Sequence, residues 1–134
     1  MFIQKLGDSP LNKRGGQDSH LLLQQGQFGS SRLAMTWVEG EPGSEQQVHS
    51  HADSEQVYVI VQGRGSMRVG DERHAVEKGD LIFIPPGTGH SIQNSSNELL
   101  VYVSATSPPF DVEALEWPFR YKPPPRPSPQ GGGS

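Results

Sequence analysis

Three histidines in this chain are spaced so that one metal ion could hold them. His49 and His51 lie two apart around Ser50, and His90 follows the run Pro85-Pro86-Gly87-Thr88-Gly89. In an extended stretch, residues two apart leave the same face. Their Cβ atoms are then about 7 Å apart, so both imidazoles can reach a single ion at about 2.1 Å. The Pro-Pro-Gly turn sets the backbone ahead of His90 before any ligand arrives. The chain has no cysteine, which excludes a thiolate ligand, a thiol nucleophile and a disulfide framework. No Ser-His-Asp arrangement stands out either. The chemistry predicted is that of one divalent ion on imidazoles, with Mn, Fe, Ni, Zn and Cu all compatible.

The residues around these histidines read as strands. Apolar runs at 21–23, 32–38, 57–61, 66–69, 73–76, 81–84, 90–93 and 99–103 are separated by Gly, Pro and Asn turns. Many short strands at this spacing predict an all-β sandwich or barrel. The runs at 57–61 and 99–103 are apolar on both faces, which leaves one face for a partner sheet or a second subunit. Residues 1–19 are polar and read as an N-terminal arm, residues 20–117 as the barrel domain, and residues 118–134 as a disordered tail. A short helix is predicted over Asp111–Trp117, ended by Pro118. The tail holds six prolines, three basic residues and no acid, a composition that favours extended chain.

Bulk properties narrow the function. A chain of 134 residues suits one domain with a single core. A net charge of -4 without a basic cluster argues against nucleic acid as the partner. Met1-Phe2-Ile3-Gln4-Lys5 lacks the apolar region of a signal peptide, and no run approaches the length of a membrane span. The expectation is a cytoplasmic protein that binds a small molecule and no membrane.

Two patterns in residues 43–94 carry a family resemblance. Gly43, five residues, His49, Ser50 and His51 match the opening of the first cupin motif, G(X)5HXH(X)3,4E(X)6G. Gly79, Pro85, Gly87, His90 and Asn94 match every position of the second, G(X)5PXG(X)2H(X)3N, and 15 residues separate Gly63 from Gly79. The chain therefore resembles a small single-domain cupin. That resemblance implies a double-stranded β-helix, or jelly-roll barrel, with a divalent metal inside. It implies His49, His51 and His90 as ligands, a fourth ligand at the motif's glutamate, and a homodimer. Here the chain departs from the pattern. Counting back from Gly63 places Gln56 at the ligand position, while counting forward from His51 allows Glu55. Neighbours on a strand face opposite ways, so only one of the two can face the metal. Gln56 is preferred because register is least elastic within a strand.

A glutamine ligand is neutral and leaves the site at a formal +2. Such a site binds metal less tightly than a carboxylate site, polarises substrate oxygens more strongly and attracts anions. Tyr58, which shares parity with Gln56, Arg68 on the next strand and Glu55 are the candidates for substrate contact or proton transfer. The function expected is Lewis-acid chemistry of the isomerase, epimerase or lyase kind on a sugar or keto acid. An iron-dependent dioxygenase or decarboxylase and a non-catalytic binding module are the alternatives.

Overall fold

The computed structural model describes residues 1–109, in nine strands and two short 3-10 turns. The strands are β1 (Leu11–Asn12), β2 (Gln17–Leu23), β3 (Ala34–Gly40), β4 (Glu55–Gln62), β5 (Arg64–Val69), β6 (Glu72–Glu77), β7 (Leu81–Ile84), β8 (His90–Gln93) and β9 (Leu100–Ser107). They form a six-stranded sheet ordered β1-β2-β3-β9-β4-β7 and a three-stranded sheet ordered β6-β5-β8. All eight runs read from the sequence are strands, and β1 is a further one. The helix predicted over Asp111–Trp117 and the tail 118–134 lie outside the described residues. No helix of the described residues is long and apolar enough to cross a membrane.

Side-chain alternation fixes which face of each strand is interior. On β4, Gln56, Tyr58 and Ile60 are buried while Glu55 is exposed and Val57 and Val59 are half-buried. On β9, Leu100, Tyr102, Ser104 and Thr106 point the same way. The two strands pair in register, Gln56 opposite Thr106 and Tyr58 opposite Ser104. The opposing sheet contributes Met67, Val76 and Ile92 to one core with Val38, Tyr58, Ile60, Ile84, Leu100 and Tyr102. Ile92 and Leu100 are fully buried, and each contributes about 1.5–3 kcal/mol by leaving water.

The chain passes from the large sheet to the small one through Gly63. A Cβ there would lie 2.3 Å from the Leu99 carbonyl oxygen, and its φ is +78°. Both sterics and backbone conformation therefore demand glycine at this crossing.

The boundary expected at residue 20 falls inside β2. Gln17 and Ser19 are buried and pair with Gly40 and Val38 of β3. The polar arm supplies the edge of the large sheet because this part of the interior is itself polar.

A candidate metal centre between two backbone segments

His49 and His90 face each other across an isolated antiparallel bridge. The N–H of His49 donates to the His90 carbonyl at 3.1 Å, and the N–H of His90 donates to the His49 carbonyl at 2.9 Å. The Pro-Pro-Gly turn adds a third tie, from Gly87 N–H to the His51 carbonyl at 2.8 Å. These three bonds join the two histidine-bearing segments although some forty residues separate them in sequence. All three side chains are consequently buried together, and their ligand atoms lie within 4.8 Å of one another. The ring centroids of His49 and His90 are 4.3 Å apart.

The hydrogen bonds of the rings present the right nitrogen for ligation. His49 Nδ1 lies 2.7 Å from the Gln47 carbonyl and His90 Nδ1 lies 3.0 Å from the Thr88 carbonyl. A carbonyl only accepts, so each Nδ1 carries the proton and each Nε2 presents a lone pair. His90 Nε2 is buried with no hydrogen-bond partner among the described residues. A buried lone pair of this kind is what a divalent ion satisfies, and the donor set fits one.

Electrostatics keep the rings neutral. Burial lowers the pKa of His49 to about 3, with help from the neighbouring His90 and against the Gln47 hydrogen bond. Burial, then His90 and Arg14, lowers His51 to about 3. His90 is lowered too, by burial and against the Thr88 contact. Neutral imidazole is the metal-binding form, so the folded chain holds the ligands ready without losing protons first.

The remaining predicted residues separate by parity. Gln56 is buried; its Nε2 donates to Ser104 Oγ at 2.7 Å, and its Oε1 has no partner among the described residues. Glu55, one residue away, is exposed and points outward. Tyr58 is buried, with its ring centroid 6.0 Å from that of His90 and its hydroxyl donating to Gln46 Oε1 at 3.3 Å. Burial raises the Tyr58 pKa to about 12. Arg68 goes the other way. It alternates with the core residue Met67 on β5, and its Nε donates to the Gly70 carbonyl at 2.9 Å. The structure does not bring Arg68 to the histidines. His20 lies 3.8 Å from Glu39, and His74 is exposed on β6.

Sequence reasoning missed Gln17, Gln46 and Tyr102. Tyr102 stacks on Tyr58 at 4.6 Å and donates to Gln17 Oε1 at 3.2 Å, while Gln17 Nε2 donates to the Ile92 carbonyl at 3.1 Å. Parity with Leu100, Ser104 and Thr106 on one strand was the available signal for Tyr102. Asn94, the last position of the second motif, is structural. Its Nδ2 donates to the Gly40 and Glu98 carbonyls, and its full burial rules out glycosylation of the folded chain at the Asn94-Ser95-Ser96 sequon.

The family model described as a cupin domain matches residues 36–106, a span that holds the entire histidine cluster and the whole three-stranded sheet but begins after β1 and β2 of the larger one. The chain is a cupin. Its fold is the double-stranded β-helix of that family, and cupins bind small molecules. An uncharacterized protein of Methanocaldococcus jannaschii is 43% identical over 77 residues, covering 55% of this chain and 62% of that protein. A protein of Thermotoga maritima named oxalate-binding protein is 29% identical over 97 residues, covering 69% of this cupin and 79% of its own length. Among solved structures, a predicted oxalate decarboxylase from Thermotoga maritima superposes with a TM-score of 0.72 at 18% identity, over 79% of this cupin and 98% of that chain. That likeness bears on the fold.

The lowered histidine pKa values set a pH dependence for the metal-free cupin. Between about pH 3 and pH 6.5 the unfolded chain carries protons on these rings that the folded chain does not. Stability therefore rises with pH through that window and is lost as pH falls. Unfolding free energies from urea titrations between pH 6.5 and pH 5, above most carboxylate titration, should fall by about 1 kcal/mol or more per pH unit as pH is lowered. In the H49Q variant that slope should be visibly shallower.

Proposed function

We propose that this cupin binds one divalent ion on His49, His51, His90 and Gln56, and uses it on a small, oxygen-rich, anionic molecule. The observation that carries this reading is the buried cluster of three neutral imidazoles; Gln56, on the interior face of β4, adds a buried amide oxygen with no partner among the described residues. With Gln56 as the fourth donor, no ligand carries negative charge. A divalent ion held there supplies Lewis acidity to a chelating pair of substrate oxygens. The residues of the chain do the rest. Nδ1 contacts to Gln47 and Thr88 hold two of the imidazoles in orientation, and Ser104 turns the Gln56 carbonyl oxygen away from its own hydroxyl. Tyr58 keeps its proton up to about pH 12, so near neutrality it serves as a hydrogen-bond donor to a developing oxyanion once its hydroxyl turns away from Gln46. This arrangement suits enolate-forming isomerase, epimerase or lyase chemistry on a sugar or keto acid.

A second reading is specific binding without turnover, and the name of the Thermotoga maritima relative, oxalate-binding protein, favours it. Proton exchange separates the two. In D2O, metal-loaded protein should exchange the C–H beside the carbonyl of a bound keto acid, followed by NMR. The Q56E variant should bind the metal about tenfold more tightly and exchange more slowly, because a carboxylate ligand lowers the charge the substrate meets. Tight keto-acid or oxalate binding with no exchange supports the second reading. Absence of both binding and exchange contradicts both.

We further infer that two copies pair through the outer face of the large sheet. On its edge strand β7, Leu81 is 61% and Phe83 50% exposed, and they sit across from Val59 and Val57 of β4. An apolar patch on an edge strand is a surface that proteins ordinarily cover. Sedimentation equilibrium should give twice the 14.6 kDa chain mass, and F83E should give a single chain. A monomeric parent protein contradicts the pairing.

A further inference from the structure

The connection between β2 and β3 holds a phenylalanine outward. Phe28 has φ +58° and is the one non-glycine residue with positive φ among the described residues; Gly26 and Gly29 on either side of it also have positive φ. A bulky side chain is disfavoured in this left-handed region, so the conformation is held by its surroundings. The Gly26 N–H donates to the Ser30 carbonyl at 2.5 Å, and the Gln24 N–H donates to Gln27 Oε1 at 3.0 Å. Gln27 Nε2 donates in turn to Gln4 Oε1 at 3.0 Å, which moors the first residues of the chain to this connection. Phe2 stacks on Phe28, with ring centroids 4.8 Å apart. Even when stacked, Phe28 is 41% exposed, and Phe2 and Ile3 are 71% and 70% exposed. A strained backbone and a chain of glutamine hydrogen bonds thus display an apolar patch, a surface that proteins ordinarily cover.

The last strand ends beside this patch. β9 pairs Thr106 with Ala34, the first residue of β3. Ser107 Oγ donates to the Arg32 carbonyl at 2.5 Å, and Ser54 Oγ donates to the Pro108 carbonyl at 2.6 Å. Arg32 is four residues from Phe28, a backbone path of at most about 14 Å. The sequence that follows is the richest in aromatics. Of the ten in the chain, Phe110, Trp117, Phe119 and Tyr121 fall within residues 110–121, with Val112 and Leu115 among them. From Pro109 to Trp117 an extended chain can reach about 28 Å, well past the patch. A covalently attached segment meets the patch at an effective concentration in roughly the millimolar range, so contacts too weak to hold a separate partner suffice.

We propose that the Phe2–Phe28 pair is a docking surface for residues 110–121 of the same chain, with Trp117 as the anchoring ring. The occupant is apolar, as the patch is, and it begins at the edge of the patch. Tryptophan brings the largest apolar area of any side chain on few rotatable bonds, and aromatic contacts stabilise beyond the area they bury. The left-handed turn at Phe28 then has a purpose: it turns the ring outward, where a further ring can meet it. The proposal is independent of the metal site.

Fluorine NMR on the full chain, labelled with 5-fluorotryptophan, tests this. The chain has two tryptophans, and W117F identifies the Trp117 signal by its loss. Trp37 on β3, whose indole N–H donates to Glu39 Oε2 at 3.1 Å, is the internal control. In the parent protein the Trp117 signal should lie away from its position in the urea-unfolded chain. F28G should move it to that position and F2A part of the way, with the Trp37 signal unmoved. F28G removes the ring and places at this turn the residue its backbone favours, so the fold should survive. If it does not, F2A decides alone: a Trp117 shift supports the proposal and none overturns it. F83E should leave the Trp117 signal in place. A shift in F83E and none in F28G puts the segment on the outer face of the large sheet and overturns the proposal. A parent signal already at the unfolded position overturns it too, and so does one that moves on dilution, because the contact is then between copies.

Discussion

Two backbone hydrogen bonds, exchanged between His49 and His90, are the constraint on which the candidate site depends. The directly opposed pair brings two side chains from distant parts of the chain onto one face at close range. His51 joins them by strand parity, and Gly87 fixes its carbonyl from the facing turn. Glycine and proline at the motif positions therefore serve the site indirectly. They shape the turns that let the two segments meet, and the imidazoles follow from the backbone. The site is built on a ladder rather than on side-chain contacts, which makes its geometry stiff before any ion binds.

Burial then sets the chemistry. The barrel has a hydrophobic part, with Ile60, Ile84, Ile92 and Leu100, and a polar part, with the histidines, Gln17, Gln56, Tyr58, Ser104 and Thr106. Removing the rings from water keeps them neutral, while the Nδ1 protons of His49 and His90 are engaged by main-chain carbonyls. The same burial keeps Tyr58 and Tyr102 protonated. An interior lined this way offers hydrogen-bond donors and lone pairs but, among the described residues, no buried carboxylate, a complement to oxygen-rich anions.

The fold and the histidine cluster were legible because both rest on local rules. Apolar runs, Gly and Pro turns and the two motif spacings are all visible along the chain. What could not be read is what depends on pairing. Sequence preferred Gln56 to Glu55 on strand register alone, and the alternation of burial along β4 puts Gln56 inside and Glu55 out. Arg68 looked like a pocket residue because its strand was recognised but its inward face was not; Met67 takes that face. Residues 1–19 read as an arm because hydrophobic patterning marks only hydrophobic interiors. Gln17 and Ser19 are buried against a polar lining, and that pattern resembles a surface strand.

The central claim is that three imidazoles from these two segments hold one ion. X-ray absorption spectroscopy on protein loaded with one equivalent of Co2+ reads that directly. The account predicts three histidine nitrogens at about 2.1 Å with the multiple-scattering pattern of imidazole, falling to two in His90→Ala. A bound ion surrounded by oxygen donors alone, or a spectrum unchanged in His90→Ala, would contradict it.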